Sequence, residues 1–97
     1  MKTKEEVLRI LEREKPELMR RDGLKRLALF GSYACEDPRE DSDVDIMVEI
    51  EPSVGLGFVD LADRIEDASG IRTEVVLRRA IKPGYWEIIK EELVDVP

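Results

Sequence analysis

Residues 27–50, LALFGSYACEDPREDSDVDIMVEI, decide how this chain folds. An apolar run of strand character breaks off at Gly31-Ser32, ten residues intervene, and a second strand opens on Asp43-Val44-Asp45. Successive strand side chains point to opposite faces, so Asp43 and Asp45 share one face. Val44, Ile46, Val48 and Ile50 take the other, which marks the second strand's buried side. Two carboxylates at the mouth of a strand are either a solvated edge or a cation site.

Upstream of that stretch, Thr3-Lys4-Glu5-Glu6 has the form of a capping box, in which the hydroxyl and the glutamate satisfy amides at a helix start. Val7, Leu8, Leu11 and Leu18 continue a helical stripe, and Pro16 either kinks the helix or opens a second one. Gly23 is placed to close it as a left-handed terminator. The segment Leu24–Phe30 is apolar on both faces from Leu27 onward, as expected of a strand covered by helices. Ser32 is a good N-cap for a short helical turn, whose length Pro38 limits.

Downstream, the second strand is expected over 43–51, where Pro52 stops it. Phe58, Leu61, Ala62, Ile65 and Ala68 then follow helical spacing, with Gly70 beyond. In a third strand over 71–77, Ile71, Thr73, Val75 and Leu77 take one face and Arg72, Glu74 and Val76 the other. Trp86, Ile89 and Leu93 space out a final helix, and 94–97 form a short tail. The Gly-Ser ends strand one and the Asp pair begins strand two, so a shared site requires these strands to be antiparallel neighbours. The third strand follows through a helix and should run parallel to the second. The expected fold class is α/β of the α+β kind, a small mixed three-stranded sheet with helices packed on it, in one domain spanning 1–97.

Composition narrows the function. The 97 residues carry 16 Lys+Arg against 23 Asp+Glu, the wrong sign for broad contact with a nucleic-acid backbone. Histidine is absent, which removes the usual general base and the His-activated nucleophiles. Cys35 is alone, so no internal disulfide forms and no zinc site is indicated. No apolar run approaches a membrane span and no signal-peptide pattern leads the chain; a cytoplasmic protein is expected. Asn and Gln are missing while 40% of residues are charged, a bias that fits a thermophilic source.

Chemistry must therefore run on carboxylates, metal and backbone. Gly31 allows a tight turn, and amides left over at a helix start favour an anion such as phosphate. Asp43 and Asp45 offer the hard oxygens that Mg²⁺ takes together with water and substrate phosphates. Two carboxylates about 4 Å apart repel by roughly 4 kcal/mol at an effective dielectric near 20, a cost that a cation removes. Glu74, if it projects toward the pair, can complete the ligand set and serve as general base.

The pattern GS, ten residues, DVD resembles the GS-x10-DxD signature of the nucleotidyltransferase superfamily typified by DNA polymerase beta. The flanks LALFGSYA and DSDVDIMVEI are similar to its minimal nucleotidyltransferase members, over roughly 24–77. The resemblance implies that Gly31 and Ser32 hold ATP as substrate. It implies that Asp43, Asp45 and Glu74 bind Mg²⁺, two ions in all, and that Glu74 stands where the family more often has Asp. Cys35-Glu36 stand where Arg-Gly is usual, which implies weaker nucleotide affinity. Such domains are often antitoxins that transfer AMP to a hydroxyl of a HEPN-type ribonuclease toxin, and an acidic surface suits a basic partner.

Plainer readings stay open. Glu74 can be a surface acid paired with Arg72 or Arg78, the acidic loop 36–41 is solvated, and Tyr85-Trp86 are either core or interface. A catalytically weak or inactive antitoxin that merely covers its partner is the alternative, and a homo-oligomer is compatible with the sequence. Transfer to a small molecule would need a second domain, for which the chain is short.

Overall fold

A computed structural model describes residues 3–34, 43–55 and 57–97, apart from the side chains of Ser32 and Tyr33. Cys35, Glu36 and the acidic loop 36–41 thus lie outside the described residues.

Helix α1 covers Lys4–Asp22 and is opened by the expected capping box, with Thr3 Oγ1 accepting from the Glu6 amide at 3.2 Å. It passes through Pro16 as a single element, so no second helix starts there. Gly23 closes it at φ 71°, in the left-handed region where glycine has no Cβ penalty. Strand β1 (Leu24–Phe30) leads into a four-residue helical turn, α2 (Gly31–Ala34). Strand β2 (Val44–Ile50), helix α3 (Gly57–Ser69), strand β3 (Thr73–Leu77) and helix α4 (Pro83–Ile89) follow, with 3₁₀ turns at Pro52–Val54 and Arg78–Ala80.

The sheet order is β3-β2-β1-β4, with β2 antiparallel to β1 and parallel to β3. Both pairings are the expected ones. The strand count differs: Val94–Asp95, expected as tail, form β4 and pair antiparallel with Ala28 and Leu29. This explains why β1 is apolar on both faces, since in a three-stranded sheet it would be an edge. A two-residue strand is too short to show alternation, so periodicity could not announce it. Three contacts fix it: Val96 N–H donates to Leu27 O at 2.9 Å, the Arg26 guanidinium binds Asp95 at 2.8 Å, and Lys15 Nζ donates to Val96 O at 3.0 Å.

The sheet's two faces are unequal. Val44, Ile46, Val48 and Ile50 join Leu27 and Leu29 against Val7, Leu11 and Leu18 of α1 and Leu61 and Ile65 of α3. On the other face a smaller cluster of Ala28, Phe30, Met47 and Ile89 is flanked by Val76, Ile81, Trp86 and Leu93. Burying a Val, Leu or Ile side chain contributes roughly 1.5–3 kcal/mol, so most of the stabilisation comes from the α1/α3 side. The α4 side covers less of the sheet, and its uncovered end holds the carboxylates.

Candidate active site

Three strand positions build the site. Phe30 is the register partner of Asp45 across β1–β2, and Glu74 is the partner of Asp45 across β2–β3. Gly31 follows Phe30 directly. Gly31, Asp45 and Glu74 thus form a row across the ends of adjacent strands, on the face opposite the larger core. The row is held in register by backbone and by α3. Val44 N–H donates to Arg72 O at 3.0 Å, and the Glu66 carboxylate accepts from the Thr73 amide at 3.1 Å, one residue before Glu74.

Gly31 has φ 75°, and a Cβ built on it would collide with the Asp45 carboxylate. Both facts demand glycine here, for conformation and for space. Asp45 is half-buried, and its carboxyl is pushed up to about 6. Burial is the main cause, followed by the negative charges of Glu74, Asp43 and Glu92. Desolvation and like charges both disfavour the ionised form, and a cation would relieve both.

Asp43, just ahead of β2, behaves differently. Its carboxylate accepts from Arg72 Nε at 2.8 Å, in an ion pair whose arginine side chain is 73% exposed. Arg72, one of the two partners that the plainer reading offers Glu74, is paired with Asp43. Arg78 lies 3.7 Å over the Trp86 ring, a cation–π contact that anchors α4 to the end of β3. Glu74 instead lines a cavity of about 320 Å³ with Asp45, Phe30, Val76, Ile81 and Tyr85.

One participant was absent from the sequence reading. Glu92, in the turn between α4 and β4, accepts from the Gly31 amide through Oε1 at 3.0 Å. It sits inside a run of charges, Lys90-Glu91-Glu92, and no motif marks it. Only the pairing of β4 with β1 brings it to the glycine.

The donor set is chemically suited to Mg²⁺, since it consists of hard carboxylate oxygens around an acid that is costly to ionise alone. Among the described residues no three carboxylates converge as a ready cage. Asp45 and Glu74 are register partners, while the Asp43 carboxylate is ion-paired with Arg72 and adds its charge to the field at Asp45.

Residues 5–96 match the nucleotidyltransferase domain. The chain belongs to this family. A nucleotidyltransferase relative, the protein adenylyltransferase MntA of Thermococcus cleftensis, is 39% identical over 98 residues, covering 99% of this chain and 98% of that one. An archaeal relative fits the thermophilic composition. A solved chain assigned provisionally as a minimal nucleotidyltransferase superposes with TM-score 0.80 at 31% identity, over 96% of this chain and 95% of that one. Two toxin–antitoxin structures share the fold. One, crystallised with AMP-PNP, has TM-score 0.70 at 21% identity, over 89% of this chain and 72% of that one. The other, a tri-AMPylated Shewanella oneidensis HEPN toxin in complex with its MNT antitoxin, has TM-score 0.64 at 19% identity, over 93% and 71%.

No helix among the described residues is long and apolar enough to cross a membrane.

Proposed function

We propose that this chain acts as one nucleotidyltransferase domain that transfers AMP from ATP to a hydroxyl of a partner protein, a HEPN-type toxin, and so neutralises it inside the cell. The observation that carries the reading is the row of Gly31, Asp45 and Glu74 on adjacent strand ends, in a chain 39% identical to a protein adenylyltransferase.

In this reading Gly31 and Ser32 bracket the triphosphate at the β1–α2 turn. Asp43, Asp45 and Glu74 would hold Mg²⁺, two ions, which when bound neutralise phosphate charge and orient the reacting groups. The partner's hydroxyl oxygen attacks the α-phosphorus, the bond to pyrophosphate breaks, and the hydroxyl proton passes to the Glu74 carboxylate. The products are AMP-protein and pyrophosphate. Glu74 is suited to the proton because it lies at the cavity wall beside Asp45, within the open end of the sheet. Val76 and Ile81 form an apolar wall of the same cavity, and exposed Tyr85 rims it.

The test is transfer of label from α-labelled ATP to the partner toxin in the presence of Mg²⁺. Asp43→Ala, Asp45→Ala together should abolish labelling and neutralisation while leaving binding of the partner intact. A double variant that still neutralises fully would sink the transfer reading in favour of simple coverage of the partner.

A further inference from the structure

Glu92 places a carboxylate on the amide of the signature glycine. Gly31 N–H donates to Glu92 Oε1 at 3.0 Å across 61 positions of sequence. Two anionic oxygens crowding a single N–H repel each other, so Glu92 and a phosphate oxygen compete for this atom. The backbone under Glu92 is anchored: its own N–H donates to Ile89 O at 2.9 Å, and Val94 pairs with Leu29 two positions before Gly31. Glu92 reaches the glycine through its side chain, so a change of rotamer alters this contact while the β4 pairing stays in place.

We propose that Glu92 is an internal competitor for the phosphates of the nucleotide, holding the Gly31 amide until a nucleoside triphosphate displaces it. The inference rests on the nucleotide-transfer reading and adds a threshold to it. The site already carries Asp43, Asp45 and Glu74, so a fourth negative charge close to a polyphosphate repels it until the arm swings away. Polar satisfaction of the Gly31 amide is kept in both states, with a carboxylate oxygen in one and a phosphate oxygen in the other. A contact present nine-tenths of the time lowers apparent affinity about tenfold, because only the remaining fraction is competent to bind. Glu92 thus sets how much triphosphate is needed before the site loads.

The experiment is calorimetric titration of the full chain with a non-hydrolysable ATP analogue and Mg²⁺, for the wild type, Glu92→Gln and Glu92→Ala. Glu92→Gln keeps the shape and decides the matter if Glu92→Ala folds poorly; circular dichroism melting checks both. Binding should tighten about tenfold in Glu92→Ala and by less in Glu92→Gln, which retains a neutral acceptor. The ¹⁵N–¹H resonance of Gly31 should move in both variants without ligand, and in the wild type when the analogue is added. General damage to the fold would weaken binding, and loss of the Glu92 charge alone would tighten it without moving the Gly31 amide, so tightening together with the Gly31 shift marks release of the amide, and tightening without that shift would overturn the competitor role. Wild type that binds, with variants that bind equally or more weakly, would overturn the competitor role and leave the nucleotide reading standing. If neither wild type nor variants bind, the nucleotide reading itself is overturned and the competitor role with it.

Discussion

Asp45 and Glu74 are register partners across the parallel β2–β3 pair, so two acids from separate strands are locked side by side by backbone hydrogen bonds. Their spacing is a property of the sheet and not of flexible side chains finding one another. Burial and these neighbours together hold Asp45 well above the ordinary carboxylate range, at about 6.

That shift has a pH signature. The folded state binds the Asp45 proton more tightly than the unfolded chain, so stability falls as pH rises from the unfolded value of 3.8 through about 6. Above that window the ionised Asp45 is a burden on the fold. Asp45→Asn should therefore raise stability by about 1 kcal/mol at pH 7.5, a figure reduced for partial solvent access. The gain should vanish near pH 4. Thermal melts of both proteins across this range give the answer, and a stability difference independent of pH would refute the assignment.

Glu74 separates into its two readings by kinetics. If it takes the hydroxyl proton, Glu74→Gln should lower AMP transfer about 100-fold or more, with binding of the ATP analogue changed only a few-fold. A surface acid would give a change within twofold.

The Arg72–Asp43 pair is exposed, and exposed pairs contribute about 0–1 kcal/mol. Arg72→Ala should leave the melting temperature within a few degrees while releasing Asp43. Mg²⁺ affinity in the presence of the analogue should then increase several-fold. A decrease would instead show that Arg72 assists phosphate binding.

Gly31→Ala meets both a left-handed backbone and the Asp45 carboxylate. The strained backbone alone costs about 1–3 kcal/mol, and the side chain must push Asp45 out of the row. Loss of transfer together with lower denaturant resistance is expected.

Val96 is 2% exposed and lies just past β4. Val96→Ala removes two methyl groups from the core, at a cost of about 2 kcal/mol. Because β4 is the mooring of Glu92, the Gly31 amide resonance should shift in this variant even though residue 96 is remote from the site.

Much of this arrangement could be read from residues alone, for identifiable reasons. Val44, Ile46, Val48 and Ile50 alternate with Asp45, Met47 and Glu49, and that period of two announces a strand with one buried side. The antiparallel β1–β2 pair followed from where Gly31 and Asp45 lie on their strands. Glu74 could be placed on the site-bearing face by counting along β3. Glu92 and Arg72 could not be read, because their roles depend on contacts between segments far apart in sequence. Neither hydrophobic periodicity nor motif spacing carries such information. Of the two readings of Pro16, the one helix carried through it holds: a proline removes one amide, and tertiary packing of Leu11 and Leu18 on the sheet outweighs that loss.

The inequality of the two sheet faces has an evolutionary consequence. Helices α1 and α3 carry the bulk of the apolar burial, whereas Gly31, Asp45 and Glu74 lie on the opposite face. Substitutions that tune heat tolerance can accumulate in α1 and α3 without passing through the reacting atoms. Relatives living at different temperatures can thus diverge on one side of the sheet while the other side keeps its chemistry.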